Sequence, residues 1–472
     1  MTDLAAWLAA FETVSIAFFL VVGAFQLVLM ITAGLELRHL RRHLVPGLDR
    51  WVLRSPTTPT ISCLVPAYNE AASITETVWA MLALDYPRLQ IVVINDGSSD
   101  DTMQLLIESF DLRPTLGIDP TPLTYKPVVE LYRSETTPRL LVIDKTNGGK
   151  SDALNAGLGY AEGRLVCAVD ADTILEPDAL SKLSSAFHDN PNILAAGGSV
   201  RPINGCAVSQ GRVIDRKLPT SFLGTVQAIE YSRAFLFGRL GWNRVGGNIL
   251  ISGAFGLFSR RAVVDAGGYM TSTVGEDLEL ILRLRRRAMD MNQSDHVWFG
   301  PEPMAWTEVP ESVRTLARQR NRWHRGLVDV LWCHRGMFGR PRYGIVGTVV
   351  LPFYLLEAIA PIVELLGMVV GIVGLATGLM KPSLFSSFIL AAYGFGFLLS
   401  SISGAYESRL DMGQTSETRL ARRVLIQILE QFGYRQLTVV WRLWGIVSWL
   451  RGSKEWGEQT RKGLQANLVA KT

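Results

Sequence analysis

Residues 164–172, Arg-Leu-Val-Cys-Ala-Val-Asp-Ala-Asp, join a short apolar run to two aspartates one residue apart. An apolar and partly β-branched run of this length predicts a buried strand. Ligands of open α/β sheets collect where strands end at their carboxyl edge, which is where Asp170 and Asp172 would lie. Two carboxylates there could hold a hard divalent cation against phosphate oxygens, although Asp-x-Asp also occurs in solvated turns.

Similar apolar runs precede this strand, and helical patterns follow several of them. The predicted strands are residues 60–65, 90–94, 140–143 and 165–169, and the predicted helices are residues 72–84, 102–110 and 151–161. Alternation of strands and helices predicts a mostly parallel, doubly wound α/β sheet. Proline and threonine dominate residues 113–139, where we expect a loop or a hairpin.

The N-terminal part of the chain predicts a membrane anchor. Residues 13–34 contain no charged residue and are long enough to cross a hydrocarbon core of about 30 Å as a helix. No basic segment precedes them, which favours a retained anchor over a signal peptide. The basic residues that follow, from Arg38 to His43, favour a cytoplasmic location for this flank and for the downstream domain.

The C-terminal part predicts further membrane segments. Residues 344–380 contain two prolines and two glutamates, which fit one kinked span or a surface helix followed by a span. Residues 384–403 predict another crossing, and the basic residues after it favour one net crossing in residues 344–380. Those basic residues are Arg409, Arg419, Arg422 and Arg423. Residues 424–450 are amphipathic and predict an interfacial helix or one packed against the bundle.

Charge and cysteine content argue against several classes of protein. The chain of 472 residues has a formal net charge of +4, which gives no indication of nucleic-acid binding. Its four cysteines are scattered without a Cys-x-x-Cys pair. This pattern favours free thiols in a reducing compartment over a disulfide framework or a zinc site.

Two predicted strand ends carry polar turns suited to a nucleotide. Tyr68-Asn-Glu70 follows the first strand, and Asp96-Gly-Ser-Ser-Asp-Asp-Thr follows the second. A carboxylate such as Asp96 could accept hydrogen bonds from a uracil N–H or a ribose hydroxyl. Alternatively these acids cap the next helix, and Asp100 or Asp101 could do so while Asp96 binds.

Residues 147–157, Asn-Gly-Gly-Lys-Ser-Asp-Ala-Leu-Asn-Ala-Gly, lead into a predicted helix. The two glycines allow close backbone approach, and Lys150 adds a positive charge suited to phosphate. A glycine turn with a surface lysine would give the same pattern. The spacing is not that of a Walker P-loop, so it predicts no nucleoside triphosphatase.

Two later motifs suit transfer to a sugar hydroxyl. Gly275-Glu276-Asp277 begins an amphipathic helix, where acids ordinarily complement the helix dipole. A hydroxyl attacking an anomeric carbon also needs a base, and Asp277 is our candidate, with Glu276 structural. Gln-Arg-Asn-Arg-Trp, residues 319–323, could bind a diphosphate through arginine and stack indole on a sugar, or form an interfacial aromatic and basic belt.

The ordered motifs resemble those of membrane-bound, processive family 2 glycosyltransferases. The set looks like the bacterial poly-β-1,6-N-acetylglucosamine synthases, including the tail Lys454–Arg461, and is similar to chitin-oligosaccharide, hyaluronan and cellulose synthases. This implies a GT-A type (Rossmann-like) α/β catalytic domain with N- and C-terminal transmembrane and interfacial helices. The implied parts are residues 1–54 (anchor and basic linker), 55–310 (catalytic domain), 311–343 (amphipathic interface helices) and 344–472 (membrane region and cytoplasmic tail).

The resemblance implies an inverting β-glycosyltransferase at the inner membrane that adds N-acetylglucosamine or glucose from a UDP-sugar to an exopolysaccharide, as in biofilms. Asp172, with Asp170, would hold Mg²⁺ or Mn²⁺, and Asp277 would deprotonate the acceptor hydroxyl. The implied substrate contacts are Tyr68 and Asp96 (uridine), Glu70, Lys150 and Asp170 (nucleotide-sugar), Gly253 (acceptor-lining segment), Gln319 and Arg322 (diphosphate) and Trp323 (terminal sugar of the acceptor).

The small number of predicted spans leaves alternatives open. Several relatives have two N-terminal spans, whereas this chain predicts one, with two crossings after the catalytic domain. A small membrane partner or a second copy could complete a polymer path among membrane lipids, or the product is short or lipid-linked. The competing functions are a single-addition glycosyltransferase acting on a lipid acceptor and an inactive nucleotide-binding subunit of a polysaccharide channel.

Overall fold

The computed structural model describes residues 2–43, 53, 55, 57–190, 192–209, 211–217, 219–410 and 425–453. The tail Lys454–Arg461 and the arginines Arg419, Arg422 and Arg423 therefore lie outside the described residues. The chain divides into two compact units. Within the described residues, the helical unit comprises residues 2–36, 225–247 and 311–453, and the sheet unit comprises residues 37–224 and 248–310.

The strands all lie in the sheet unit. In chain order they are β1 (Ile61–Ala67), β2 (Leu89–Asn95), β3 (Leu112–Thr115), β4 (Val128–Ser134), β5 (Leu140–Lys145), β6 (Leu165–Val169), β7 (Thr173–Leu175), β8 (Ile193–Pro202), β9 (Ala207–Ser209), β10 (Arg212–Asp215), β11 (Phe255–Ser259) and β12 (His296–Thr307). Among the described residues, ten of them form one sheet in the order β3-β4-β5-β2-β1-β6-β11-β8-β12-β7, and β9 and β10 form a separate hairpin.

The helices occur in both units. In chain order they are α1 (Thr2–His43), α2 (Ile74–Leu82), α3 (Thr102–Phe110), α4 (Lys150–Tyr160), α5 (Ala179–Asp189), α6 (Phe222–Arg233), α7 (Leu240–Arg244), α8 (Arg260–Asp265), α9 (Glu276–Asp290), α10 (Val313–Cys333), α11 (Leu351–Ala376), α12 (Pro382–Leu410) and α13 (Arg435–Leu450). Short π-helical segments at Ala234–Arg239, Val346–Val350 and Glu430–Tyr434 adjoin them.

The centre of the sheet is parallel, which confirms the predicted α/β fold. Strands β5, β2, β1 and β6 pair in parallel, and all seven residues of β2 are buried. Strands covered on both faces require such continuous apolar runs. The flanks contain antiparallel pairs, since β3 and β4 form a hairpin on one side and β11 runs against β6 and β8 on the other, although β8 and β12 pair in parallel. The sheet is therefore mixed. Of the two structures expected for residues 113–139, a loop or a hairpin, the hairpin is the one observed.

Three helices of the described chain are long and apolar enough to cross a membrane. They cover Asp3–Leu40, Val346–Ala376 and Pro382–Ile402, in agreement with the three predicted segments. Glycines bring α11 close to α12: a Cβ at Gly367 would lie 2.5 Å from Phe388. Small residues at such positions let helix backbones approach in a membrane, where apolar area alone does not favour one partner over lipid.

Two buried carboxylates of the helical unit, Glu364 and Glu430, are paired with arginines. Glu364 of α11 receives hydrogen bonds from Nε and Nη2 of Arg435, both at 3.0 Å. Arg233 binds Glu430 at 2.8 Å. Glu364 therefore faces protein, as expected for an acid in a membrane-spanning segment. Helix α13 packs against α10, because a Cβ at Gly445 would lie 2.8 Å from the carbonyl oxygen of Asn321.

His324 of α10 is buried as a neutral imidazole, outside the three candidate spans. Its Nδ1 accepts from Nε of Arg442 at 3.3 Å, so the proton lies on Nε2, which donates to the carbonyl of Ala358 at 3.1 Å. Burial, helped by the nearby charge of Arg442, lowers the pKa of His324 to about 3. The folded state therefore resists protonation of this ring.

We expect the detergent-solubilised protein to lose thermal stability as the pH falls below about 6.5. Below that pH, His324 is protonated in the unfolded state but stays neutral in the folded state. This difference lowers the free energy of unfolding by about 1.4 kcal/mol at about pH 5.5. His324→Gln keeps one donor and one acceptor but cannot titrate, so its unfolding temperature should depend less on pH. The control is His188→Gln on an exposed position of α5, and equal slopes in both variants would contradict the assignment.

Candidate active site

Polar residues follow the carboxyl ends of the four central parallel strands. Tyr68 follows β1, Asp96 follows β2, Lys145 ends β5 and Asp170 follows β6. Because parallel strands end at a common edge, the connecting loops meet there. This edge is the candidate site in the sheet unit.

The loops after β1 and β2 are hydrogen-bonded to each other. The backbone N–H of Asn69 donates to Oγ of Ser98 at 3.0 Å, and the N–H of Ser99 donates back to Oδ1 of Asn69 at 2.8 Å. Asn69 has a φ of 56°, a left-handed conformation that asparagine tolerates better than most residues. The N–H of Glu70 donates to Oγ1 of Thr102 at 2.9 Å. The two loops therefore form one surface.

The candidate nucleoside contacts in these loops differ in exposure. Tyr68 is 52% exposed. Glu70 is half-buried, and its carboxylate accepts from the hydroxyl of Ser73 at 2.9 Å. The N-cap residue of α3 is Asp101, whose side chain makes no capping hydrogen bond, whereas the carboxylate of Asp100 accepts from the backbone N–H of Thr102 at 3.1 Å. Of this set, Tyr68 presents the most side-chain surface.

Asp96 is buried and binds the Asn-Gly-Gly loop. Its Oδ1 accepts from Nζ of Lys145 at 2.7 Å and from the N–H of Gly148 at 3.0 Å, and its Oδ2 accepts from the N–H of Gly149 at 2.7 Å. The side chain of Asn147 donates to the backbone carbonyl of Asp96 at 2.8 Å. Contact between Asp96 and a uracil stays a prediction.

Lys150, the first residue of α4, joins two motifs that are far apart in the sequence. Its Nζ lies 2.7 Å from Oδ1 of Asp170 and 3.3 Å from Oε1 of Glu276, and it donates to the carbonyl of Gly253 at 3.1 Å. Burial alone would lower the pKa of Lys150, but Asp170 and Glu276 outweigh it and raise that pKa well above its usual value. Lys150 is therefore an ammonium throughout the physiological range.

Asp277 lies beside this cluster. A Cβ built on Gly253 would lie 3.1 Å from Oδ2 of Asp277 and 3.5 Å from Nζ of Lys150. Oδ1 of Asp277 accepts from the N–H of Leu278 at 2.7 Å, which orients the carboxylate at the start of α9. The candidate base Asp277 and the carboxylate of Asp170 therefore both lie close to Lys150 and Gly253.

Backbone contacts fix the turn that carries Asp170 and Asp172. The N–H of Asp170 donates to the carbonyl of Ala254 at 3.1 Å, and the N–H of Thr173 donates to the carbonyl of Asp170 at 3.0 Å. The hydroxyl of Thr77 donates to the carbonyl of Ala171 at 2.6 Å. These bonds tie the end of β6 to residues 252–256, Ser-Gly-Ala-Phe-Gly, which lead into β11, and to α2.

The acidic residues of the site fit a cation whose other ligands come from the substrate. The described residues contain no group of three or more histidine, cysteine or acidic side chains arranged to hold a metal ion. Mg²⁺ and similar ions are commonly held by one or two carboxylates, with substrate phosphates and water as the other ligands. Asp170 and Asp172 would be such a pair. The residues therefore suit Mg²⁺ or Mn²⁺.

Gln319, Arg322 and Trp323 belong to α10 of the helical unit. Trp323 is 43% exposed, and the guanidinium of Arg320 lies 4.5 Å from the centroid of its ring. Arg320 also pairs with Glu230 of α6. A guanidinium over one face of an indole is a stabilising contact, and the sequence did not predict this one between Arg320 and Trp323.

Sequence reasoning missed two residues that organise the site. Lys145 is buried between Asp96 and Asp152. Lys145 carries the signal that identified Asp96 and Asp170, because it is a charged residue at the end of an apolar strand. Asp152 has no comparable local signal, since first-turn acids on helices usually complement the dipole.

Two family models match the chain. Residues 130–326 match the model described as glycosyltransferase like family 2, and residues 62–116 match glycosyl transferase family 2. The poly-β-1,6-N-acetyl-D-glucosamine synthase of Staphylococcus aureus (strain COL) is 30% identical over 272 residues, 57% of this chain and 55% of that protein. The synthase of Staphylococcus epidermidis is 28% identical over 271 residues. The chain thus matches about half the length of these curated relatives.

Solved structures with a similar arrangement are more distant in sequence. The mannosyltransferase PcManGT from Pyrobaculum calidifontis, solved with GDP-Man and Mn²⁺, is 17% identical, covers 91% of this chain and 99% of that chain, and has a TM-score of 0.48. Residues 1–349 of S. aureus TarS, solved with UDP-GlcNAc, are 15% identical, with 83% and 92% coverage and a TM-score of 0.39.

Proposed function

Because the chain carries family 2 glycosyltransferase domains, we propose that it is an inverting β-glycosyltransferase of a bacterial inner membrane. Its donor is a UDP-sugar, UDP-N-acetylglucosamine or UDP-glucose, and its acceptor is the growing end of an exopolysaccharide. One observation carries the proposal: Asp170, Lys150, Gly253 and Asp277 gather at the carboxyl edge of the sheet. The sheet unit then faces the cytoplasm, where nucleotide-sugars are made.

In this proposal the donor end of the site stabilises the leaving diphosphate. Asp172 and Asp170 would hold Mg²⁺ or Mn²⁺, which would supply positive charge to the diphosphate oxygens. Lys150, held as an ammonium by Asp170 and Glu276, adds a fixed charge beside them. Tyr68 and Asp96 contact the uridine part, and Glu70 contacts the nucleotide-sugar. Gln319 and Arg322 bind the diphosphate through polar and forked contacts.

The acceptor end performs a single displacement. The acceptor hydroxyl gives its proton to the carboxylate of Asp277, and its oxygen bonds to the anomeric carbon as the bond to the diphosphate oxygen breaks. Attack on the face opposite the leaving group converts the α-linked donor to a β-linked product. The hydroxyl is a weak nucleophile until this proton is removed, which is why a base is needed. Gly253 leaves space beside Asp277, and Trp323 stacks on the terminal sugar.

The proposal predicts that detergent-solubilised protein with Mg²⁺ or Mn²⁺ will form a ladder of polymer from one radiolabelled UDP-sugar in a panel. Products are sized and then digested with linkage-specific hydrolases, which identify sugar and linkage. Addition of a single sugar would contradict processive synthesis and favour a lipid acceptor. No release of UDP from any donor would contradict an enzyme and favour a nucleotide-binding channel subunit. If products form only after a small membrane protein is added, that partner would supply the helices that complete the polymer path.

A further inference from the structure

We propose that Asn155 and Arg283 are positioning residues that hold Lys150 and Asp277 at a fixed separation. Both bind residues 266–269, Ala-Gly-Gly-Tyr, which we call the clamp loop. In this role the two side chains act through the clamp loop and not on the substrate. The inference rests on the proposed function and concerns how the base is placed within the same site.

Asn155 binds the clamp loop from α4. Its side chain is buried, and its amide exchanges two hydrogen bonds with the backbone of Tyr269. Nδ2 donates to the carbonyl of Tyr269 at 2.9 Å, and Oδ1 accepts from the N–H of Tyr269 at 2.7 Å. Two bonds to one residue fix its orientation as well as its distance. Without the amide, two buried backbone groups would lose their partner, which is costly.

Arg283 binds the clamp loop from α9. Its Nη2 donates to the carbonyl of Gly268 at 2.6 Å, and its Nη1 donates to the carbonyl of Ala266. Glu279, one turn earlier on α9, accepts from Nε of Arg283 at 2.8 Å and from Nη2 at 2.9 Å. The N–H donors of a guanidinium lie in one plane, so the carboxylate of Glu279 orients the fork that reaches both carbonyls.

The clamp loop itself has a conformation that only glycine adopts readily. Gly267 and Gly268 have φ values of 89° and 73°, both in the left-handed region. Their N–H groups donate to the carbonyls of Val264 and Val263, which ends α8. A Cβ at Gly268 would clash with Oδ1 of Asn155. The loop is therefore held by its own turn and by close contact with α4.

The clamp loop joins the two helices that carry the charges of the site. Helix α4 begins at Lys150, and α9 begins at Glu276, directly before Asp277. The helix starts contact each other through Lys150 and Glu276, which lie 3.3 Å apart. The clamp loop is a second link, further along both helices, and two links fix their relative direction where one does not. Without it Asp277 should shift, and a misplacement of about 1 Å can lower a rate about 10²-fold.

The test measures turnover per UDP-binding site on the full-length protein in detergent. Labelled UDP-N-acetylglucosamine and UDP-glucose are the donors, and sites are counted by calorimetric titration with UDP and Mn²⁺. We expect Asn155→Ala and Arg283→Lys to lower kcat per site about 10- to 100-fold. UDP affinity should change less than about twofold, because Lys150 keeps its contacts with Asp170 and with the carbonyl of Gly253. Fewer sites with wild-type kcat per site would indicate a merely structural role and overturn the inference.

A double variant tests whether Asn155 acts through the base. If it does, Asn155→Ala combined with Asp277→Asn should have the same kcat per site as Asp277→Asn alone, because the clamp loop then positions a base that is absent. Losses that multiply in the double variant would overturn the positioning role. Arg286→Lys is the matched control: Arg286 also lies on α9 and pairs with Asp290 four residues later, but its side chain is 43% exposed. This control should keep wild-type kcat, and an equal loss there would also overturn the inference.

Arg283→Lys keeps the test informative if Asn155→Ala does not fold. Lysine preserves the positive charge beside Glu279 but lacks the planar fork that reaches both carbonyls of the clamp loop. If wild-type protein transfers no sugar from any UDP-sugar, the proposed function fails and the inference falls with it. An active wild type with unchanged kcat in the folded clamp variants would overturn the inference alone, so the two failures are distinguishable.

Discussion

Asp277→Asn is expected to lower the turnover of the UDP-sugar by about 10²- to 10⁴-fold, the range that positioned general bases contribute. UDP affinity should change by less than about twofold, because the carboxylate acts on the acceptor hydroxyl and not on the nucleotide. Asparagine keeps an Oδ1 that can accept from the N–H of Leu278, so the start of α9 should keep its geometry. The variant removes basicity and little else.

Turnover is measured as UDP release and as labelled product, and UDP affinity by calorimetry on the same preparation. The matched control is Asp290→Asn at the last residue of α9, about 20 Å along the helix from Asp277. This control should retain wild-type turnover. A folded Asp277→Asn protein that loses UDP affinity in parallel with turnover would contradict the role of base and indicate a donor-binding role.

The central strands could be predicted because their signal is local. The predicted strand at residues 165–169 coincides with β6, and the predicted helix at residues 102–110 coincides with α3. Strands buried on both faces must be apolar throughout, and this requirement is visible in a short window of sequence. The prediction therefore depends on composition and not on the partners of each strand.

The antiparallel part of the sheet could not be predicted in the same way. Strand β8 contains Ala-Ala-Gly-Gly at its centre, a composition with low strand preference. Its strand conformation follows from pairing with β12 in parallel and β11 in antiparallel register. Such pairing depends on tertiary context that no single segment contains.

The same limit applies to the candidate site. Asp96, Lys150, Asp170 and Asp277 could be predicted from their positions at strand ends and helix starts. At each of these positions the sequence changes locally from apolar to charged. What each charge binds is set across the fold. Glu276 is expected to be structural, and its contact at 3.3 Å with Lys150, more than a hundred residues earlier, gives that role a specific partner.

Asp172→Asn is expected to abolish metal-dependent turnover, with a loss of about 10³-fold or more, since a bound cation offsets several kcal/mol of developing charge on the diphosphate. Asp172 is buried in the turn after β6, and Asp170 lies 2.7 Å from Nζ of Lys150. Asp172 is the proposed main ligand of the cation. Chelation of divalent ions in the wild type should cause a comparable loss.

Binding of Mn²⁺, followed by electron paramagnetic resonance with and without UDP, gives a readout that does not depend on turnover. In the wild type UDP should tighten Mn²⁺ binding, because phosphate oxygens supply the ligands that two carboxylates cannot. Asp172→Asn should remove this effect, whereas Asp178→Asn, six residues later and paired with Lys182, should keep it. Wild-type coupling between Mn²⁺ and UDP in a folded Asp172→Asn protein would place the cation on other ligands.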